Sequence, residues 1–498
     1  MTALRRIAAS PELSALAAVV VLGAILRFAT LDLQSYRYDE AVTVGRVLQP
    51  NLFDTLSMVP HSESTPPFYY LVAWLWSRPF GTGEVWLRSL SALAGTASIV
   101  VVYLGAVALP LPRRAGVIAA AAVAVSPVLI WFSQDARAYA LVVLLTALSF
   151  LFFARARRSG GGRDLAWWAL CSALALATHY FAAFVIAPEA VLLLLGRNRR
   201  GAVLATLAIA AAALALMPIG LQQAENAHAS WIADQPIAER LERAGAKLVG
   251  NDNGDEHGTR QEVPLPLWVP ALLAVAALAL LLWRGEDDER RGAGIAALVG
   301  GAAVGVPLVM AAVGPDYFNG RNLQPAMVPL LILIGAGFGV RRAGRAGLGL
   351  AIAYCACSLF FTLEIDRLPR LQREDLRNAA ARVGPLHPGK AVVASRYASS
   401  KPLKYYLDAA VARRRLGPLR EIDLVGSASA VRHAGRLLPP AFELASTEPV
   451  SYEFTLARYR ARRPVRVALE LLQRGALVGG GADALVLVAP AGGSAAAR

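Results

Sequence analysis

Long apolar stretches separated by short polar ones fill the first three quarters of the chain. Eleven such runs lie at about 13–31, 86–109, 115–132, 138–154, 165–178, 180–196, 202–219, 265–283, 293–313, 323–340 and 346–363. About 20 apolar residues are what an α-helix needs to cross the hydrocarbon core of a bilayer. The pattern therefore predicts an all-α polytopic membrane domain of about 11 transmembrane helices. The first run is too long for a signal-peptide core and no convincing small-residue cleavage site follows it, so it reads as a retained span. The runs on either side of Thr178-His179-Tyr180 sit back to back, which predicts a tight hairpin at one membrane face. One apolar segment, Phe68 to Phe80, is too short to span. Its Tyr69, Tyr70, Trp74 and Trp76 suit headgroup depth, so it is expected to lie along the outer surface as an interfacial helix.

From about Arg367 the pattern changes to alternating polarity. Short β-branched runs at 390–394 and 484–489, with a helical pattern at 401–408 between them, predict a small α/β domain. The expected division is thus a membrane domain at 1–366 and a C-terminal domain at 367–498.

Composition agrees with the pattern: 56% hydrophobic and only 17% charged residues exclude a single soluble globule of ordinary surface polarity. Cys171, Cys355 and Cys357 all fall in apolar runs and read as core residues, since neither a disulfide framework nor metal-ligand spacing is present. Charge supplies the orientation. The arginines at 5–6, 113–114, 155–163, 197–200, 284–291 and 341–345 fall in loops on one side if the spans are as given. By the positive-inside rule that side is the cytoplasm. The N-terminus is then cytoplasmic, and the loops 32–85, 133–137, 220–264 and 314–322 face outward with the C-terminal domain. That domain carries 22 Lys+Arg against 10 Asp+Glu, most of the chain's formal +15. Such a charge favours anionic headgroups, envelope polymers or, were the sidedness reversed, nucleic acid, and a domain this long escapes the positive-inside rule.

Candidate chemistry gathers in the outer loops. Asp39 and Glu40 are adjacent just beyond the first span; in a groove of low dielectric the pair would repel, leaving one carboxylate as a base of raised pKa. The plainer reading is two solvated loop acids. The segment Gln134-Asp135-Ala136-Arg137-Ala138-Tyr139 follows the end of a span. On a helix, Asp135 and Tyr139 would share a face with Arg137 turned away, and Arg137 suits a lipid phosphate through paired hydrogen bonds. Arg321, in Pro315-Asp316-Tyr317-Phe318-Asn319-Gly320-Arg321, is a second phosphate-binding candidate. His61, Glu63 and His179 are weak candidates for a divalent cation. The acidic stretch 251–257 lacks the spacing of an EF-hand and reads as a flexible outer loop.

In order and on the expected side, these motifs resemble the GT-C membrane glycosyltransferases of the glycosyltransferase family 39 and aminoarabinose lipid A transferase type, related to dolichyl-phosphate-mannose protein mannosyltransferases. The resemblance covers about 13–340. It rests on Tyr38-Asp39-Glu40, on Thr65-Pro66-Pro67-Phe68-Tyr69-Tyr70, on the 134–139 motif, and loosely on Arg321-Asn322-Leu323-Gln324-Pro325. It implies transfer of a sugar from a polyprenyl phosphate to a lipid, glycan or protein acceptor at the outer face of the cytoplasmic membrane, with inversion. Asp39 would be the base and Glu40 its support. Arg137 and Arg321 would hold the leaving phosphate, and Tyr38, Asp135, Tyr139 and Tyr69 would line the substrate site. Membrane lipids are expected partners and nucleic acid is not; no cofactor is certain, a divalent cation being the one candidate.

Aminoarabinose transferases tend to carry Lys before the Pro-Pro pair, where this chain has Thr65, which leaves the substrate open. Arg88 offers a substitute charge or a snorkelling structural arginine. Two other classes remain: a multi-span transporter or flippase, which should show charged residues near mid-span, and a non-catalytic envelope assembly protein.

Overall fold

The computed structural model describes residues 11–226, 230–249, 265–314, 316–396, 399–413, 416–479 and 483–490. The acidic stretch 251–257 lies outside them. Two compact units form, one from Met1–Leu31 and Leu48–Leu371, the other from Asp32–Val47 and Gln372–Arg498.

In the first unit every expected apolar run falls on a helix. Among the described residues, six helices are long and apolar enough to cross a membrane: Pro11–Phe28, Glu84–Ala108, Tyr139–Ser159, Arg199–Glu225, Asp287–Val313 and Arg341–Arg367. A seventh span arises if Arg113–Val125 and Pro127–Ser133, bent by 58°, count together. Tyr180–Leu194, Trp268–Arg284 and Gln324–Phe338 are apolar but shorter, as is the 17-residue helix Gly162–Thr178. These lengths and compositions make a multi-pass membrane protein; the expected number of eleven spans exceeds what length and hydropathy alone support.

The connections of this unit collect at two ends. At one end Arg114 donates to the carbonyls of Gly339 (2.8 Å) and Val340. There Arg341 meets Glu286 at 2.9 Å and Asp288 at 3.2 Å, and Asn198 reaches Gly160 O at 3.0 Å. These are the arginine-rich loops. At the other end Gln223 donates to Thr65 O at 2.9 Å and Asn226 to Pro60 O at 2.9 Å. Helix Phe68–Phe80 belongs to that end, tied by Trp74 to Gln49 O (3.0 Å) and by Trp76 to Trp86 O (2.8 Å).

Small residues permit the close helix contacts. A Cβ on Gly335 would meet Ala115 O at 2.6 Å and the Ala119 Cβ at 2.7 Å, and one on Gly339 would meet the Ala115 Cα at 2.5 Å. Without a hydrophobic drive between helices in lipid, such backbone approach and buried polar contacts hold a bundle together. One polar contact joins three helices: Glu189 Oε2 accepts from Ser149 Oγ (2.6 Å) and Trp168 Nε1 (2.8 Å), and Ser149 bonds Ser172 at 2.9 Å.

The bend between Arg113–Val125 and Pro127–Ser133 positions everything after it. Pro127 has no N–H, so the carbonyl of Val123 four residues back loses its helical donor. Arg27, fully buried near the end of the first helix, supplies the replacement. Its guanidinium donates to Val123 O and Ala124 O, both at 2.9 Å, to Gly23 O at 3.0 Å and to Ser133 Oγ at 3.2 Å. Gln134, just past the bend, donates to Leu26 O (3.1 Å) and Thr30 Oγ1 (2.7 Å), locking the turn 134–138 against the same helix. Backbone groups have no water partner inside a bilayer, which is why a buried arginine is tolerated here.

The second unit is a six-stranded sheet in the order β2-β6-β1-β3-β5-β4, with β1 (Lys390–Ser395), β2 (Ala410–Val411), β3 (Leu419–Gly426), β4 (Glu443–Pro449), β5 (Thr455–Val465) and β6 (Ala484–Val488). Only β1 and β3 pair in parallel; the other pairings are antiparallel. The strands and helix expected at 390–394, 484–489 and 401–408 appear as β1, β6 and helix Ser400–Tyr406. Helices Leu376–Val383 and Ser400–Tyr406 supply one apolar layer, and Ala428–His433 with Leu469–Leu472 the other. A cross-strand charge ladder runs from Lys390 to Glu421 (2.8 Å) and Asp423 (3.1 Å), and on to Arg458 at 2.9 Å from Asp423. The segment 32–47 folds with this unit: Gln34 accepts from the Arg373 N–H at 2.8 Å, and Ser35 Oγ donates to Glu374 O at 2.7 Å.

Replacing Arg27 by Met strips the side-chain donors from the Val123 and Ala124 carbonyls, each costing about 1–3 kcal/mol when buried unpaired. The unfolding midpoint of the detergent-solubilised protein is expected to fall by roughly 5 °C or more; an unchanged midpoint would contradict the role assigned to Arg27.

Candidate active site

The expected site residues divide between the two units. In the second, Tyr38, Asp39 and Glu40 open a five-residue helix, Tyr38–Val42, continued by a π-helical turn, Thr43–Val47. Glu40 is fully buried. Its Oε2 accepts from the Arg37 backbone N–H and from Arg373 Nη1, both at 3.1 Å. Glu40 is therefore spent on closing its own helix and on a buried ion pair, and its charge is compensated by Arg373 rather than set against Asp39. Asp39 keeps 29% of its side chain exposed and lies 3.8 Å from Arg37. Of the two adjacent acids, it is the one that solvent reaches. Tyr38 is half-buried beside it.

In the first unit the bend held by Arg27 delivers Gln134–Tyr139. Residues 134–138 are turn and bend rather than helix, so the expected helical face shared by Asp135 and Tyr139 does not form. The turn carries Arg137 to Glu63, at 2.7 Å, both side chains nearly enclosed. Asp135 is buried and its backbone carbonyl accepts from the Arg137 N–H at 2.8 Å. Tyr139 packs on Phe132, ring centroids 4.5 Å apart, and on His179 at 5.7 Å. Tyr69 is buried edge-on to Tyr70 at 5.4 Å, and the Tyr70 hydroxyl lies 3.0 Å from Thr65 Oγ1. Burial holds the Tyr70 phenol well above its ordinary range, with Arg137 and Glu63 both near enough to act on it.

Arg321 and Arg137 both act on His179. Burial first, then the charges of Arg321 and Arg137, push its imidazole down to about 3. Nδ1 accepts from the Phe181 N–H at 3.2 Å, which assigns the proton of the neutral ring to Nε2. A neutral N–H donor thus stands within the field of two guanidinium groups.

Arg321 owes its place to elements missed in the sequence, where 220–264 reads as a loop. Residues 237–248 form an amphipathic helix whose Arg240 grips Asp316 through two bonds of 2.6 Å and donates to Phe318 O at 2.9 Å. Those bonds to Arg240 hold the Asp316 carboxyl below its usual range. Gly320 fits because a Cβ there would stand 2.7 Å from the Lys247 side chain. The Arg321 guanidinium then lies over the Trp231 ring, 4.7 Å from its centroid. The spacing of Arg240, Arg243 and Lys247 was the available signal.

The weak cation candidates do not converge. His61 is exposed beside Gln222 at 3.4 Å, Glu63 pairs with Arg137, and His179 is turned to Phe181. Among the described residues no group of three or more His, Cys, Asp or Glu is placed to hold a metal ion. Arg88 is buried and donates to Leu31 O at 2.9 Å, a structural contact at the end of the first helix.

In the unfolded chain His179 takes its proton near pH 6.5, in the folded one only near pH 3. Between these values the unfolded state binds more protons, so stability declines as pH falls from 6.5 towards 3. His179→Gln, which does not titrate, is expected to flatten that decline in chemical-denaturation curves; an unchanged slope would assign the titration to other groups.

Residues 64–221, under half of the chain, match the family model of dolichyl-phosphate-mannose-protein mannosyltransferase. No curated protein matches the sequence. Among solved structures, ArnT from Cupriavidus metallidurans in the apo state superimposes with a TM-score of 0.55 at 12% identity, covering 89% of this chain and 97% of that one. The same protein bound to undecaprenyl phosphate gives 0.52 at 12% identity, with the same coverage. At such identity the likeness is one of fold. By family model and by fold together, the chain resembles the GT-C superfamily of membrane glycosyltransferases, as its ordered motifs led us to expect.

Proposed function

We propose that this chain is an integral membrane glycosyltransferase that moves a sugar from a polyprenyl phosphate donor to an acceptor at the outer face of the cytoplasmic membrane. The observation carrying this reading is that Arg137 and Arg321 both lie near enough to the buried His179 to act on its imidazole, in a chain whose fold is similar to that of ArnT, a protein solved with undecaprenyl phosphate bound. A phosphate leaving group needs hydrogen-bond donors and positive charge aimed at its oxygens rather than a strong acid. His179 Nε2–H adds a donor that does not depend on pH above about 3.

Reaction would proceed by one displacement. The acceptor oxygen attacks the anomeric carbon, the bond from that carbon to the phosphate oxygen breaks, and the acceptor proton passes to Asp39. A single displacement inverts the anomeric centre. Glu40 acts on the site by fixing the helix that presents Asp39. The C-terminal domain expected at 367–498 then belongs on the outer side, and the arginine-rich loops on the cytoplasmic side. The mid-helix acid that a transporter reading would draw on, Glu189, is engaged by Ser149 and Trp168 as a packing contact, which favours the enzyme.

The test is sugar transfer from radiolabelled polyprenyl phosphate sugars by membranes carrying wild type or Asp39→Asn at matched expression. A loss of at least about a hundredfold in the variant is expected from removal of a general base. Full activity in the variant would take the base role from Asp39, and absence of transfer by wild type from every donor would set the enzyme reading aside.

A further inference from the structure

Helix Ile237–Leu248 is inside out for a helix surrounded by water. Its cations face the protein: Arg240, Arg243 and Lys247 are all buried. Its large aliphatic side chains do the opposite, Ile237 and Leu241 each keeping 42% of their surface exposed, with Leu248 half-buried. At about 100° per residue the helix therefore has three sides. Arg240, Arg243 and Lys247 share one, which meets the segment 316–320 through the Arg240 bonds to Asp316 and Phe318 O and through the Lys247 side chain against Gly320. Ile237, Leu241 and Leu248 share a second. Glu239 and Glu242, both exposed, share a third, largely opposite the aliphatic one. One side to acyl chains, one to water and one to the protein is the layout of a helix lying in the plane of a membrane surface.

A second observation identifies what meets the aliphatic side. The helix is fastened beyond the end of the span Asp287–Val313: Arg240 holds Asp316 through two bonds of 2.6 Å, and Ala244 packs with Phe318 and Leu323 against Val304, Leu308 and Ala311 of the span. On another face of that span Val306, Val309 and Val313 are exposed at spacings of three and four. In a multi-pass membrane protein such an apolar row meets lipid. Tyr317, exposed directly after Asp316, is of the residue type favoured at headgroup depth. Leu241 follows Arg240 as Tyr317 follows Asp316, so the paired bonds hold the helix at the level where the valine row ends.

We propose that helix Ile237–Leu248 lies in the bilayer interface, with Ile237, Leu241 and Leu248 against the acyl chains of membrane lipid, and so continues the lipid-facing surface of Asp287–Val313. Glu239 and Glu242 stay in water. Lipid contact thereby holds the same helix whose Arg240 and Lys247 shape the segment leading into Arg321. The inference rests on the membrane character of the chain and does not depend on glycosyl transfer.

Nitroxide labels test this in the full chain, carrying Cys171→Ala, Cys355→Ala and Cys357→Ala and reconstituted in phosphatidylcholine nanodiscs. They are attached singly at Ile237→Cys, Leu241→Cys and, as the water-side reference, Glu242→Cys. Each label's collision rate with oxygen, which concentrates in lipid, is compared with its collision rate with a water-soluble nickel chelate. The ratio of oxygen to nickel collisions is expected to be several-fold higher at 237 and 241 than at 242. The first two positions sample the same side independently, so loss of one variant to misfolding leaves the test intact. Equal ratios at all three positions would place the helix in water, and labels at 237 and 241 shielded from both reagents would mean that protein, such as a second copy of the chain, covers the aliphatic side; either result would overturn the proposal.

Discussion

The Arg27 guanidinium closes the gap that Pro127 opens in the backbone. A helix broken inside a membrane must find donors for its freed carbonyls, and water is not available to supply them. Here one buried side chain serves Val123 and Ala124 and at the same time ties the first helix to Ser133. The chain can therefore leave the helical path at a fixed angle and reach the turn that presents Arg137. Gln134 repeats the device one step later by bonding Leu26 O and Thr30. The position of Arg137 thus follows from the hydrogen-bond requirements of a bend.

Electrostatic matching governs the rest of the site. Removing a charge from water is costly unless a partner compensates it, and the buried charges here are paired across long stretches of chain: Arg137 with Glu63, Arg373 with Glu40, Arg240 with Asp316. Each pair fixes a loop that has little apolar surface of its own. Asp39 differs from Glu40 in this respect. Its neighbour is buried and committed, whereas Asp39 stays partly open at the start of a short helix.

Reading the sequence recovered what depends on local composition. The eleven apolar runs each fall on a helix, and β1, β6 and helix Ser400–Tyr406 arise where alternation and helical spacing placed them. What it could not recover depends on distant partners. Nothing near residue 40 announces that Glu40 will meet Arg373, so the 32–47 segment was assigned to an outer loop rather than to the sheet-bearing unit. The face that Asp135 and Tyr139 would share on a helix does not form, because the 134–138 turn is set by contacts to Leu26 and Thr30, far off in sequence. Glu63 was weighed as a cation ligand for lack of any sign that Arg137 would claim it. Helix 237–248 was more accessible: Arg240, Arg243 and Lys247 recur at helical spacing, but in a stretch short of apolar residues they read as loop charge.

The central claim is that Arg137 and Arg321 of this chain serve a lipid phosphate. The most direct measurement is the affinity of the purified protein for undecaprenyl phosphate in wild type, Arg321→Gln and Arg137→Lys, the last preserving the charge opposite Glu63 while removing the guanidinium fork. Loss of about tenfold or more in each variant is expected for a charge-assisted contact to phosphate. Affinities equal to wild type in both would contradict the account.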